Sequence, residues 1–383
     1  MNTRELIIIA GGGIGGLAAA RALQLRGFNV HVLERSSPLG TEGAGLTVQP
    51  NGIMALRRLG LDTAVIERGV VVEQGAILDQ NGCVISDMRF RDWSADIRTP
   101  MVGILRSELQ RILLDAVGAG HVDAGTHVLD FREKEGEVIV QLSTGGECRG
   151  VALVGCDGLN STVRRKLLND GEPRYAGYTS WRGNCPRGAI PGVGDLREVW
   201  GRGFRFGRVP VSDETLYWFA VASSPPGETD PYGDAKPRLL RACAGWHVPA
   251  AGIIEATPSG AILRTDIRDR APIRRWSRGL VTLAGDAAHP MTPDLAQGAS
   301  QALEDAVVLA DRLAGASSIP HAFRDYERSR YRRAARMSRL SRGFGRMAQI
   351  ESALGCRARN VLLRMTPARI IRWQTRAMWR FEP

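Results

Sequence analysis

Apolar residues along this chain gather into short unbroken runs that end at glycine and give way to a helical period. Leu6 to Ala10 is the first, of strand length, closing on Gly11. Beyond it Leu17, Ala20 and Leu23, with Ala18 and Ala22, recur at helix spacing, and "VHVLE" (30–34) restores a strand pattern. The predicted order is β-α-β. A second run, "VALVGCDG" (151–158), also ends at an aspartate, with Ser161 and Arg164 where a helix starts. A third runs into Gly285-Asp286, passes His289 and two prolines, and opens a helix-forming stretch after a Gly-bearing turn.

Residues 171–274 change character. "YAGYTSWRGNC", "REVWGRGFRFGRVPV" and "TLYWFAVA" alternate and carry aromatics between Gly, Pro and Asp turns, predicting antiparallel strands. "SSPPGETDPYGDAKP" (223–237) reads as a surface loop. The C-terminal part reads as helices. There Phe323, Tyr326, Ala334, Met337 and Phe344 fall near one face with arginines elsewhere, and two further apolar-basic stretches flank Thr366-Pro367.

The turn Gly11-x-Gly13-x-x-Gly16 has a physical task for each glycine. The first permits the tight turn, the second lets backbone approach a pyrophosphate, and the third lets helix and strand pack closely. The helix N-terminus offers free N–H groups and partial positive charge to phosphates. Glu34 closes the second strand, where a carboxylate accepts both hydroxyls of an adenosine ribose and repels a 2′-phosphate. The site therefore suits FAD or NAD over NADP, and Arg35 beside it joins the candidate cofactor-binding set.

Length and charge narrow the picture further. At 383 residues two lobes are expected, each able to bury a core. No apolar run reaches 18 residues, and the first residues lack a basic region and a cleavage site, so a cytoplasmic chain is expected. Six scattered cysteines form no C-x-x-C pair, which argues against metal clustering and a dithiol relay. The net charge of +11 is concentrated at one end. Residues 321–383 hold 16 arginines against four acids, so the remainder sums to about zero. No nucleic-acid reading motif accompanies this charge, and a solvated helical tail docked on the protein is the plain reading. Contact with an anionic membrane is the alternative.

The glycine fingerprint, "CDGLNSTVR" (156–164) and "GDAAHPMTP" (285–293) occur in the order found in the class A FAD-dependent aromatic hydroxylases. The chain resembles that monooxygenase family over residues 1 to about 345, with some similarity to FAD-dependent urate hydroxylases. The resemblance implies an α/β fold of defined organisation. A Rossmann-like FAD-binding domain of the glutathione reductase type is expected from 1–75, 100–170 and 275–345. An antiparallel-sheet substrate domain (76–99 and 171–274) is inserted in it, and a basic helical segment (346–383) follows. It also implies FAD as cofactor, NADH or NADPH as transient co-substrate, and O2. Oxygen adds at C4a of the flavin, and one atom is passed to a small aromatic or olefinic substrate. No nucleic acid is involved, and the chain is a monomer or homodimer.

By the same resemblance Asp286 bonds the ribityl chain, and Pro293 lines the ring pocket. Backbone from Ala296 to Gly298 approaches the isoalloxazine. Arg106 reaches the FAD phosphates or ribityl chain, Gln110 lies nearby, and Asp157 organises the pyrophosphate region. "GAGLTVQPNG" (43–52) matches the loop beneath the flavin edge. Two departures stand out: Ala296 replaces a glycine, expected to narrow the ring's alternative positions, and Asp294 replaces an amide. Asp294 reads either as a helix N-cap or as a catalytic base. Arg205 and Tyr217, matching substrate-facing positions, are catalytic candidates beside it, with Arg182 and Trp218 to inspect. Each also reads as a solvated strand face or sheet core. His289 reads as a structural hydrogen-bonding residue rather than a base. A reductase on the same fold and a silent flavin-binding protein are the alternatives, and the lysines are too few and misplaced for a halogenase.

Overall fold

The computed structural model describes residues 6–40, 44–190, 194–230 and 233–381. The first five residues, Gly43 of the loop 43–52 and residues 231–232 of the loop 223–237 lie outside the described residues.

The first run becomes β1 (Leu6–Ala10), followed by α1 (Ile14–Gln24) and β2 (Asn29–Glu34). Strand β3 (Gly45–Val48) leads to α2 (Pro50–Leu59), which starts with proline at its first position and ends at Gly60, φ +75°. Strands β4 (Gly75–Asp79) and β5 (Val84–Met88) precede α3 (Arg106–Val117) and β6 (Val122–Ala124). The second run is β7 (Ala152–Gly155), with α4 (Thr162–Leu168) behind it. The aromatic region supplies β8 (Arg174–Pro186), β9 (Leu196–Trp200), β10 (Phe204–Pro210), β11 (Thr215–Ser223) and β12 (Leu263–Asp269). The third run is β14 (Val281–Leu283), preceded by the short β13 (Ser277–Arg278). Helices α5 (Gly298–Gly315), α6 (Ile319–Ala348), α7 (Ala353–Met365) and α8 (Ala368–Trp379) complete the chain.

Two large sheets result. The first runs β13-β14-β7-β1-β2-β6 and is parallel except for β13. Its central strand β1 is wholly apolar because α1 and α5 cover one face and an antiparallel three-stranded sheet (128–150) lies on the other side. The second runs β12-β8-β11-β10-β9-β4-β5 and is antiparallel except between β9 and β4. This α/β architecture is the class expected from the sequence.

The seven-stranded sheet has two different faces. Leu216, Trp218 and Ala220 of β11, with Phe204, Phe206 and Trp181, pack against two short helices on the back. Tyr217, Phe219 and Val221 alternate to the front, toward β3, with Val209 and Tyr178. On that side a Cβ at Gly45 would meet Tyr217, so β3 approaches the sheet as closely as glycine allows.

Candidate active site

The three glycines occupy the single turn between β1 and α1. Gly11 has φ +105°, and a Cβ there would lie 2.4 Å from the Cys156 carbonyl oxygen just past β7. A Cβ at Gly16 would stand 1.8 Å from the Gly11 carbonyl, so the helix packs directly on the turn. A Cβ at Gly13 meets nothing within 4 Å, and α1 starts with no capping side chain and no acid in its first turn. That combination of open approach, uncapped N–H groups and positive dipole fits a pyrophosphate.

Glu34 braces the turn. Its carboxylate accepts from Gly12 N at 2.6 Å and from Ser36 N at 2.7 Å, leaving lone pairs for a ribose hydroxyl. Arg35 is exposed beside it. Gln110 of α3 donates to the Gly12 carbonyl at 2.7 Å, and Arg106 opens the same helix, exposed.

The middle motif acts through helix α4. Asp157 accepts from Ser161 Oγ at 2.5 Å and from the N–H groups of Thr162 and Val163 at 2.7 and 3.1 Å. Burial raises its pKa against the pull of those bonds. Arg164, fully buried, donates to the carbonyls of Ala287 and Ala288 at 2.9 and 2.8 Å. The second motif thus holds the third in place.

Asp286 follows β14 in a turn whose Gly285 has φ +56°. The residue is solvent-exposed, though protein packed around the carboxyl desolvates it. Burial raises its pKa, the nearby charges of His289 and Arg106 oppose this, and Asp305 adds to it. Arg106 and Asp286, about 180 positions apart in the chain, therefore share one cleft with the N-terminus of α5. Gly298 opens that helix, and a Cβ on it would lie 3.9 Å from Asp286 Oδ1.

Beneath this cleft lies a buried polar network that the hydropathy pattern hides. Asp305 accepts from Gly285 N at 2.9 Å, His289 Nε2 at 2.5 Å and Arg330 Nε at 2.7 Å. Despite burial, His289 and Arg330 hold its pKa well below the usual carboxylate range. Glu304 accepts from Asn51 Nδ2 at 2.6 Å, pairs with Arg330, and takes both Nε and an Nη of Arg333 at 2.6 and 2.7 Å. Asn51 also donates to Gln297 at 3.0 Å. Sequence reasoning missed these residues, although a signal existed. Arg330 sits seven residues from both Phe323 and Met337, on the buried face of α6, not among the outward arginines. His289 takes the structural role expected of it.

The front of the seven-stranded sheet brings the remaining candidates together. Arg205, buried, pairs with Asp294 and donates to Glu198 at 2.9 Å. Burial works against its charge, but the two carboxylates outweigh it and hold its pKa above the ordinary value. Tyr178 donates to the other oxygen of Asp294 at 2.6 Å, and burial beside that carboxylate raises the phenol's pKa. Asp294 therefore caps no helix. It lies in a 3-10 turn (Pro293–Leu295), while Gln297 precedes α5 and offers no side-chain cap. Pro293 is exposed at the start of that turn. Ala296 lies in the left-handed region, with φ +50° and ψ 36°. A Cβ in that region strains the backbone.

Tyr217 is buried among Val209, Val211, Phe90, Trp93 and Trp379, and burial pushes its pKa up to about 12. Arg182 shares that side of the sheet and donates to Thr265 at 2.9 Å. Trp218 points the other way and donates to Thr257 at 2.8 Å, so it is core. The last helix closes the apolar cluster. Trp379 Nε1 donates to Gln49 Oε1 at 2.8 Å, and Gln49 N donates to Ser300 at the start of α5.

The sequence profile described as an FAD binding domain matches residues 5–178 and 232–341. The aurachin C monooxygenase/isomerase of Stigmatella aurantiaca is 43% identical over the whole of both chains. A chloroplastic zeaxanthin epoxidase of Solanum lycopersicum is 35% identical over 90% of this chain, which spans 54% of that larger protein. The crystal structure of Klebsiella pneumoniae HpxO complexed with FAD and uric acid superposes with a TM-score of 0.91. It is 29% identical, with 98% of this chain and 96% of the other covered. By the profile, by these relatives and by the uncapped glycine turn, the chain belongs to the FAD-binding-domain family of FAD-dependent monooxygenases.

Proposed function

We propose that this chain inserts one atom of O2 into an aromatic or olefinic carbon of a small, largely apolar substrate. NADH or NADPH supplies the two electrons, and the other oxygen atom leaves as water. Bound FAD supplies the oxygen-activating chemistry. Gly11, Gly13 and Gly16, Glu34 with Arg35, and Arg106 would hold its phosphate and ribose parts. Asp286 would receive a ribityl hydroxyl, with Asp157 supporting the pyrophosphate side through α4. The backbone from Ala296 to Gly298 and the N-terminus of α5 would face the ring, where a positive dipole stabilises negative charge.

The substrate would lie between Pro293 and the front of the seven-stranded sheet. One observation carries the choice of an apolar compound. The buried cation on this wall, Arg205, is already neutralised by Asp294 and Glu198, and the side chains next to it across the strand pair, Val221 opposite and Phe219 on the diagonal, are apolar. An anionic substrate would have to displace one of those carboxylates. In this reading Tyr217 packs on the substrate. Asp294 sets the position of Arg205 and Tyr178, and the closed apolar cluster excludes water.

The test is incubation with FAD, NAD(P)H and 18O2 against aurachin C, zeaxanthin and uric acid, the compounds named for relatives, and a panel of phenols and fused-ring heteroaromatics. The expected result is one labelled oxygen in the product of an apolar member of the set. Reduced nicotinamide consumed with H2O2 as the only product across the panel would sink the reading.

A further inference from the structure

Helices α7 and α8 each carry two apolar stripes where one would suffice for docking. On α7 the inward side carries Cys356 and Leu363, with the buried Arg359 between them. Cys356 contacts the Ile350 carbonyl at 3.1 Å, Arg359 donates to the Ala348 carbonyl at 3.0 Å and lies 5.0 Å over the Trp200 ring, and Leu363 joins the cluster of Ile77, Ile85 and Trp200. The outward stripe is Leu354, Ala358, Val361, Leu362 and Met365, again at helix spacing. Leu354 is 78% exposed, Leu362 66% and Met365 75%. On α8, Ile371 and Trp379 face the protein, while Ile370 and Trp373 face out, the latter 67% exposed. An outward face serving only solubility would be polar, so apolar groups gathered on adjoining helices indicate a surface that something covers.

We propose that this pair of helices rests on an anionic lipid bilayer. Residues 352–381 contain seven arginines and no acidic residue. Arg357, Arg369 and Arg380 are exposed, so cationic groups border the outward apolar stripes. That pairing of apolar anchors with cations is the pattern of a helix lying in the lipid interface, where tryptophan also partitions. A second copy of the chain is a poor occupant, because a two-fold contact would set the same arginine-rich face against itself. No described helix is long and apolar enough to cross a membrane, so the two helices lie on the bilayer and do not span it. Since α8 also walls the Tyr217 cluster through Trp379, a bilayer-dissolved substrate would meet the pocket at this helix. That last point alone rests on the apolar-substrate reading above.

The experiment is co-sedimentation of the FAD-loaded chain with vesicles of phosphatidylcholine alone or mixed with phosphatidylglycerol. Binding to the mixed vesicles, weakened severalfold by salt, is expected. The Leu362→Glu/Trp373→Glu variant should stay in the supernatant while keeping its flavin spectrum. Should that variant lose its flavin, Arg357→Glu/Arg369→Glu supplies the same test, expected to bind mixed vesicles no better than neutral ones. In a third measurement, brominated lipids should quench wild-type fluorescence more than that of Trp373→Phe. The proposal is overturned if the wild type ignores both kinds of vesicle at low salt. It is equally overturned if the chain is a dimer that Leu362→Glu/Trp373→Glu converts to monomer without any vesicle binding. None of these readouts needs a turnover, so they stand or fall separately from the oxygen-insertion reading.

Discussion

Ala296 is one of four non-glycine residues with positive φ among the described residues, and it is the one beside the cofactor cleft. A Cβ in the left-handed region costs about 1–2 kcal/mol, while glycine's extra unfolded-state freedom costs about 0.5–1 kcal/mol. Ala296→Gly should therefore stabilise the chain by up to about 1.5 kcal/mol, read as a higher denaturation midpoint. An unchanged or lower midpoint would show that the turn relaxes around alanine. Asp294 makes a sharper case. Asp294→Asn keeps the shape but leaves Arg205 with Glu198 as its single carboxylate partner, and Tyr178 without an anionic acceptor. Product formation should fall by about 100-fold, a typical penalty for a misplaced active-site group, with flavin content retained. Loss of flavin in step with activity would instead place the residue in cofactor binding.

At the scale of elements, β1, α1 and β2 were legible because backbone period and chemistry coincide there: five apolar residues, three glycines and an acid. The strands of the second sheet were legible from alternation, yet which face met β3 was not. Alternation alone cannot say that Tyr217 looks forward and Trp218 back. The α5–α6 interface was the least legible. Glu304 and Asp305 sit on a helix that reads as apolar, and Arg330 reads as one surface arginine among many. Their partners come from residues 51, 285, 289 and 333, and the single periodic trace of this pairing is the place of Arg330 between Phe323 and Met337 in the apolar spacing of α6. Removing one partner of such a buried set is costly, and Asp305→Asn should lose about 3–5 kcal/mol at neutral pH. Asp305 has a depressed pKa when folded, so its contribution is complete above the ordinary carboxylate value of about 4. It is lost as pH falls through the lower, folded value. The stability gap between wild type and Asp305→Asn should thus be wide at pH 7 and close on the acid side, as urea titrations across pH would show.

For the whole molecule, the last helix ties distant parts of the chain together. Trp379 is packed with Phe90 and Trp93, in the cluster that holds Tyr217 of the seven-stranded sheet, while bonding Gln49 at the start of α2. Trp379→Ala removes a large buried ring, costing about 3–5 kcal/mol, and opens the cluster around Tyr217 to water. More of the reduced nicotinamide consumed should then appear as H2O2, measured against product. An unchanged ratio would mean that α8 closes nothing the chemistry depends on.

The parallel sheet has a consequence for how the polypeptide matures. Its strand β7 pairs on one side with β1, made early, and on the other with β14, made about 125 residues later. Until the ribosome delivers β14, the nascent parallel sheet carries an open flank of unpaired peptide groups beside apolar strands. Strands β8 to β12 must therefore all be translated while that flank still waits for its partner.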